Sequence, residues 1–320
     1  MTSIRRELVG LIKQGAIPRD EVARAVAHSG LYPAGRAWSA FLDRLLLWLG
    51  TLALVCGVLF FIAYNWVEMG RWLRFGLVQA ALLVAVGVYW WSRGEGGVAR
   101  AALLATALLL GVLLALFGQV YQTGADPWQL FFFWAVLILP WALVARFDVL
   151  WMVWLGLLNL ALVLYLRTWG SALDVLLDSD ISLLWGLYVL NCLALALWEL
   201  GARRWHWLAS DWAPRLLALG SGIPLSMLMI GLLDGRASPL MLIYPLWLAL
   251  LYGVYRHWRA DLFMLAGGCL SVIAVVTLFL ARELLWQAGA GGFLLLAVVV
   301  LGLGAAAVVW LRRLHKEMAA

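Results

Sequence analysis

The run LLLWLGTLALVCGVLFFIAYN, residues 45–65, contains no charged residue. About 20 apolar residues in helical form cross a hydrocarbon core of about 30 Å. No water reaches that core to satisfy exposed peptide groups, so the run must be a helix. Working outward from it, further apolar runs follow at 72–91, 101–121, 130–145, 149–166, 181–200, 215–233, 240–255, 262–281 and 292–311. The expected fold is all-α: a polytopic transmembrane helical bundle of about ten spans, residues 41–320, behind a small cytoplasmic helical hairpin in residues 1–40.

Composition agrees. The 320-residue chain is 66% hydrophobic and 12% charged, with a mean hydropathy of +0.96, whereas soluble domains carry about 25% charged residues. A net charge of +6 would suggest nucleic acid in a soluble protein. Here, however, the basic residues lie mostly in short segments between apolar runs, where they report topology. With the N-terminus inside, 18 of the 23 Lys and Arg residues fall on the cytoplasmic side. Losing one span would reverse the later loops and destroy that bias, so an even number of spans with both termini cytoplasmic is expected. Many tryptophans, such as Trp66, Trp72, Trp128, Trp151, Trp205 and Trp258, stand at run edges as an interfacial belt. Cys56, Cys192 and Cys269 lie within apolar runs, where each acts as a small hydrophobe. The first run is not preceded by a small-residue cleavage site, so the first span is expected to be retained.

In the head, Ile4, Leu8, Leu11 and Ile12 share one helical face, Gly15 suits a helix stop and Pro18 a helix start. Helices are expected over 3–14 and 18–28. The pair superficially resembles a DNA-binding helix-turn-helix, but docking on the bundle is the simplest role, with contact to anionic lipid next.

Polar residues inside a bilayer are costly and therefore functional suspects. The densest set lies at the outer ends of the first and third spans: Asn65, Trp66, Glu68, Gln119, Tyr121, Gln122 and Asp126. Two carboxylates, amide groups and a phenol at one depth would make an outward-facing vestibule suited to a polar or cationic group. Capping of helix ends by Asn65 and Gln122, with Glu68 and Asp126 simply solvated, is the alternative. Gln79, Asn159 and Asn191 lie near span centres, where amides bond neighbouring helices. No Asp, Glu, Lys or Arg falls at a span centre, so no proton relay is visible. Asp174, Asp178 and Asp180 lack the dense oxygen-rich loop that calcium needs, and His28, His206, His257 and His315 show no zinc spacing. No glycine cluster follows a strand as a dinucleotide site requires. Pro140, Pro224 and Pro245 do not fall in equivalent spans of the two halves, so no inverted repeat is supported. No catalytic residue, cofactor or metal is expected.

The runs GVLFFIAYNW, residues 57–66, and FGQVYQTGAD with LFFFWAVLILPWAL, residues 117–126 and 130–143, resemble hallmark segments of a predicted prokaryotic membrane-protein family, domain of unknown function 2157. The resemblance covers roughly the first 165 residues, and the matching polar positions are Asn65, Trp66, Gln119, Tyr121 and Asp126. It implies a soluble head before a membrane part and a bacterial inner-membrane location, without an activity. The functional expectation is a non-enzymatic inner-membrane protein that binds or transports an amphipathic or small polar molecule through the vestibule. The alternative is a subunit or scaffold of a cell-envelope complex. The expected surroundings are a lipid bilayer and, on the scaffold reading, another membrane protein; nucleic acid is not expected.

Overall fold

The computed structural model describes the backbone of residues 2–18, 20–28, 35–94, 96–173, 179–233 and 239–319. Asp174 and Asp178 of the acidic loop lie outside them. The fold is an all-α polytopic bundle, with no strand among the described residues. Its contacts divide the chain into Met1–Val120 and Tyr121–Ala320.

The first unit begins with α1, Thr2–Lys13, and α2, Val22–His28. Gly15 sits at φ +72°. Its N–H reaches the Ile12 carbonyl at 3.2 Å and the Ala16 N–H reaches Leu11 at 3.0 Å, the paired bonds that close a helix on a left-handed residue. Pro18 was expected to open the second helix. Instead its carbonyl accepts from the Glu21 N–H at 3.0 Å, in a turn that precedes α2.

Three long helices follow: α3, Gly35–Tyr64; α4, Arg71–Trp91; and α5, Gly96–Tyr121. No proline or glycine interrupts residues 36–45, so α3 is helical well before its apolar run begins. Val55, Ala85 and Leu109 form one buried layer and Ile62, Val78 and Leu116 another. Numbers that rise in α3, fall in α4 and rise in α5 define an up-down-up arrangement.

The second unit contains α6, Pro127–Ala145; α7, Asp148–Leu173; α8, Ser179–Ala202; and α9, Trp212–Leu233. A 3-10 turn, Pro239–Leu242, then leads into α10, Ile243–Gly253, which runs on into a π-helical turn, Val254–Trp258. Residues 239–258 are thus helical throughout, about 30 Å at 1.5 Å per residue, enough for the expected eighth span. Pro245 is the third residue of α10, at the junction where the 3-10 turn passes into the α-helix. Besides this stretch, nine helical lengths among the described residues are long and apolar enough to cross a membrane.

The last helical run, α11, spans Leu262–Ala319, where two spans joined by a loop were expected. A straight rod of that length would be about 87 Å long. Yet Arg256, just before its start, contacts Glu317 near its end at 2.6 Å, and Trp310 lies 5.9 Å from the Tyr252 ring. The chain therefore doubles back between its apolar lengths Leu262–Arg282 and Gly291–Met318, which restores two antiparallel spans.

Other contacts gather the same end of the unit. The Trp212 indole N–H donates to Asp148 at 2.7 Å, joining the starts of α7 and α9. Arg215 pairs with Asp261 at 2.9 Å, joining the starts of α9 and α11. Within this unit, the starts of α7, α9 and α11 and the end of α11, which alternating spans assign to one side, are thus joined at one end.

Candidate functional site

Within the first unit, the Asn65 amide donates to the Phe61 carbonyl at 2.8 Å, so one of its two N–H donors is spent on the last turn of its own helix. Trp66 is half-buried and, like Val120, packs on the buried layer of Ile62, Val78 and Leu116, which sets Gln119 at the same end of the unit. Gln119 and Glu68 are exposed. The residue that sequence reading overlooked is Arg74. Its guanidinium lies 3.9 Å over the Trp66 ring and also donates to the Trp66 carbonyl, adding a cation to a place read as favouring cations. At the start of the second unit, Tyr121 and Gln122 are exposed, and Gln122 takes a left-handed φ of +44° that ends α5. Asp126 is extended before Pro127 and makes no side-chain cap; its carbonyl accepts from Gln129 at 3.0 Å.

Of the three amides near span centres, Asn159 and Asn191 bond across helices, whereas Gln79 is exposed. Asn191 donates to Asn159 at 2.6 Å and receives a return bond at 3.3 Å. Each side chain also donates to its own helix, at Leu187 and Leu155. A Cβ at Gly220 would lie 2.9 Å from the Asn191 oxygen, so glycine is what lets α9 approach the pair. Farther along, Ser226, Ser271 and Tyr244 link their hydroxyls at 2.6 and 2.8 Å.

A feature that can hold a ligand lies in the second unit, between α8 and α10. It is a groove of about 700 Å³, within the range of ligand sites. Its apolar walls come from Cys192, Leu195, Ala196 and Leu200 on one side and Trp247, Leu250, Leu251 and Val254 on the other. Both stripes follow the spacing of one helical face. Glu199, Arg203, Tyr255, Trp258 and Arg259 line the groove's charged end. A smaller groove of about 330 Å³ in the first unit has Thr51 as its one polar lining residue, and that hydroxyl is bonded to Leu47.

The charged end is ordered by a network. The Tyr255 hydroxyl donates to one Glu199 oxygen at 2.9 Å and Arg259 donates to the other at 3.1 Å. Arg259 also donates to Asp211 at 2.8 Å and to the Ser210 carbonyl at 3.2 Å. Burial would lower the Arg259 pKa, but the Asp211 hydrogen bond and the Glu199 charge outweigh it and raise that pKa above its ordinary value. Arg203 differs: its guanidinium lies 3.8 Å over the Trp258 ring, and it forms no ion pair among the described residues. The sequence signal for this site was the pair of helical stripes ending in Glu199 with Arg203 and in Tyr255 with Arg259. Nothing in either stripe alone identifies the other as its partner.

Residues 10–151 match the family described as Predicted membrane protein (DUF2157), a range that includes all three segments quoted for the resemblance. No curated protein and no solved structure matches the chain. The chain is a membrane protein with several apolar helices.

Proposed function

We propose that this protein is a non-enzymatic inner-membrane protein, both termini cytoplasmic, that binds an amphipathic molecule in the groove between α8 and α10 and presents it to or moves it across the bilayer. The observation that carries the reading is the groove itself: apolar walls on two facing helices leading to an end lined by Glu199, Arg203, Tyr255, Trp258 and Arg259. A purely lipid-facing cleft has no need of an ordered ion network at one end. Apolar walls with a few convergent polar groups are the general form of a site for small amphiphiles. The π-helical turn Val254–Trp258 supports it too, since such turns concentrate at functional sites. The first-unit residues of the expected vestibule, Asn65, Trp66, Glu68 and Gln119, are a second place for a polar ligand, although the Asn65 amide is already bonded within its helix.

A lipid carrying a photoreactive acyl chain, incubated with the purified protein in detergent, tests the reading. Labelling should fall on residues 192–200 and 247–254, and Ala196→Trp should abolish it without loss of folded protein. Uniform labelling over all lipid-facing helices would mean annular lipid only and refute it. The scaffold reading has its own support, because the most apolar window of Gly291–Met318 is wholly unburied. Stable co-purification of a second membrane protein, lost when that helix is altered, would favour it.

A further inference from the structure

The charges at the mouth of the groove decide what kind of amphiphile it takes. Glu199, the one carboxylate lining the groove, has both oxygens occupied by Tyr255 and Arg259. The neighbouring carboxylates are engaged as well: Asp211 by Arg259, Asp261 by Arg215 and Glu317 by Arg256. A cationic ligand would have to break one of these pairs. Arg203 is the exception, a lining cation with no carboxylate partner among the described residues. Its guanidinium rests 3.8 Å over the Trp258 ring, and a planar guanidinium suits the two oxygens of a phosphate.

We infer that the groove selects a phospholipid with a net negative charge, its acyl chain between α8 and α10 and its phosphate against Arg203 on the Trp258 ring. The inference rests on the groove being an amphiphile site, and it adds the sign of the headgroup and the residue that reads it. The occupant is a bilayer lipid and not free phosphate, because the apolar walls run from Glu199 back to Cys192 along α8, about 10 Å, and only a chain covers them. Arg204 is the internal control. It neighbours Arg203 in sequence and carries the same charge, but it does not line the groove.

The test uses the purified full-length protein in nanodiscs of phosphatidylcholine doped with phosphatidylglycerol, each lipid bearing the photoreactive chain. The ratio of phosphatidylglycerol to phosphatidylcholine label at residues 192–200 and 247–254 is read by mass spectrometry. The wild type should favour phosphatidylglycerol. Arg203→Gln should cut that preference about tenfold, the equivalent of losing one charge-assisted hydrogen bond, because phosphatidylcholine, whose own choline cation offsets its phosphate, loses less labelling than phosphatidylglycerol. Trp258→Leu, at an exposed position, should reduce the preference in the same direction and serves if Arg203→Gln does not fold. Arg204→Gln should leave it unchanged, and glycerol phosphate without a chain should not compete. Equal loss in Arg203→Gln and Arg204→Gln would show surface electrostatics only and overturn the inference. So would equal labelling by both lipids in the wild type, which leaves the amphiphile site standing. Absence of groove labelling with either lipid would instead sink the site itself.

Discussion

Gly220→Ala tests whether the central amides hold α7, α8 and α9 together. The added Cβ would sit 2.9 Å from the Asn191 oxygen and 3.0 Å from its amide carbon, closer than real contacts allow. Asn191 cannot step aside freely, because it is bonded to both Asn159 and the Leu187 carbonyl. The new methyl group would therefore break the two cross-helix bonds. Amide bonds between membrane helices average about 0.6 kcal/mol and reach about 1.7, so the pair contributes about 1–3 kcal/mol. Replacing a helical glycine by alanine returns about 0.5–1 kcal/mol, leaving a net loss of about 0.5–2 kcal/mol. In an Asn191→Ala background the obstructing amide is gone, and the same substitution should become neutral or stabilising by about 0.5–1 kcal/mol. Equilibrium unfolding of the four proteins of this cycle, in one detergent, measures the coupling directly. A Gly220→Ala effect of the same sign and size in both backgrounds would refute the packing argument.

Three further outcomes follow from the same contacts. Arg259→Gln, which leaves Glu199 with only 18% of its side chain exposed and one partner fewer, should cost about 1.5–3 kcal/mol in unfolding; Glu199→Gln in the same chain should recover part of it, and additivity of the two would speak against the pair. Cysteines in place of Arg256 and Glu317 should be joined by a short bifunctional reagent within one molecule, and failure to cross-link in a folded protein would mean that α11 does not double back. Asn65→Ala should lower stability by about 0.5–1.5 kcal/mol, the worth of its bond to Phe61, and leave groove labelling unchanged; loss of labelling at full stability would move the ligand site to the vestibule.

The membrane spans were legible because crossing a bilayer is a local property. Each residue from 45 to 65 adds its own transfer free energy, and each helix satisfies its own backbone, so no partner need be known. The resemblance carried by GVLFFIAYNW and FGQVYQTGAD was equally local, and residues 10–151 bear it out. Even Pro18, misplaced as a helix start, erred only by a turn. What the tertiary structure alone decided is which faces meet. In lipid, protein-facing and lipid-facing surfaces are both apolar, so the contrast that marks a core face in water disappears. Glu199 finds Tyr255 and Arg259 across 56 and 60 residues, and Asn159 finds Asn191 across 32. Those meetings depend on the rotation and tilt of whole helices. The candidate site is built entirely from such pairs, and for that reason it emerged only once the helices were packed.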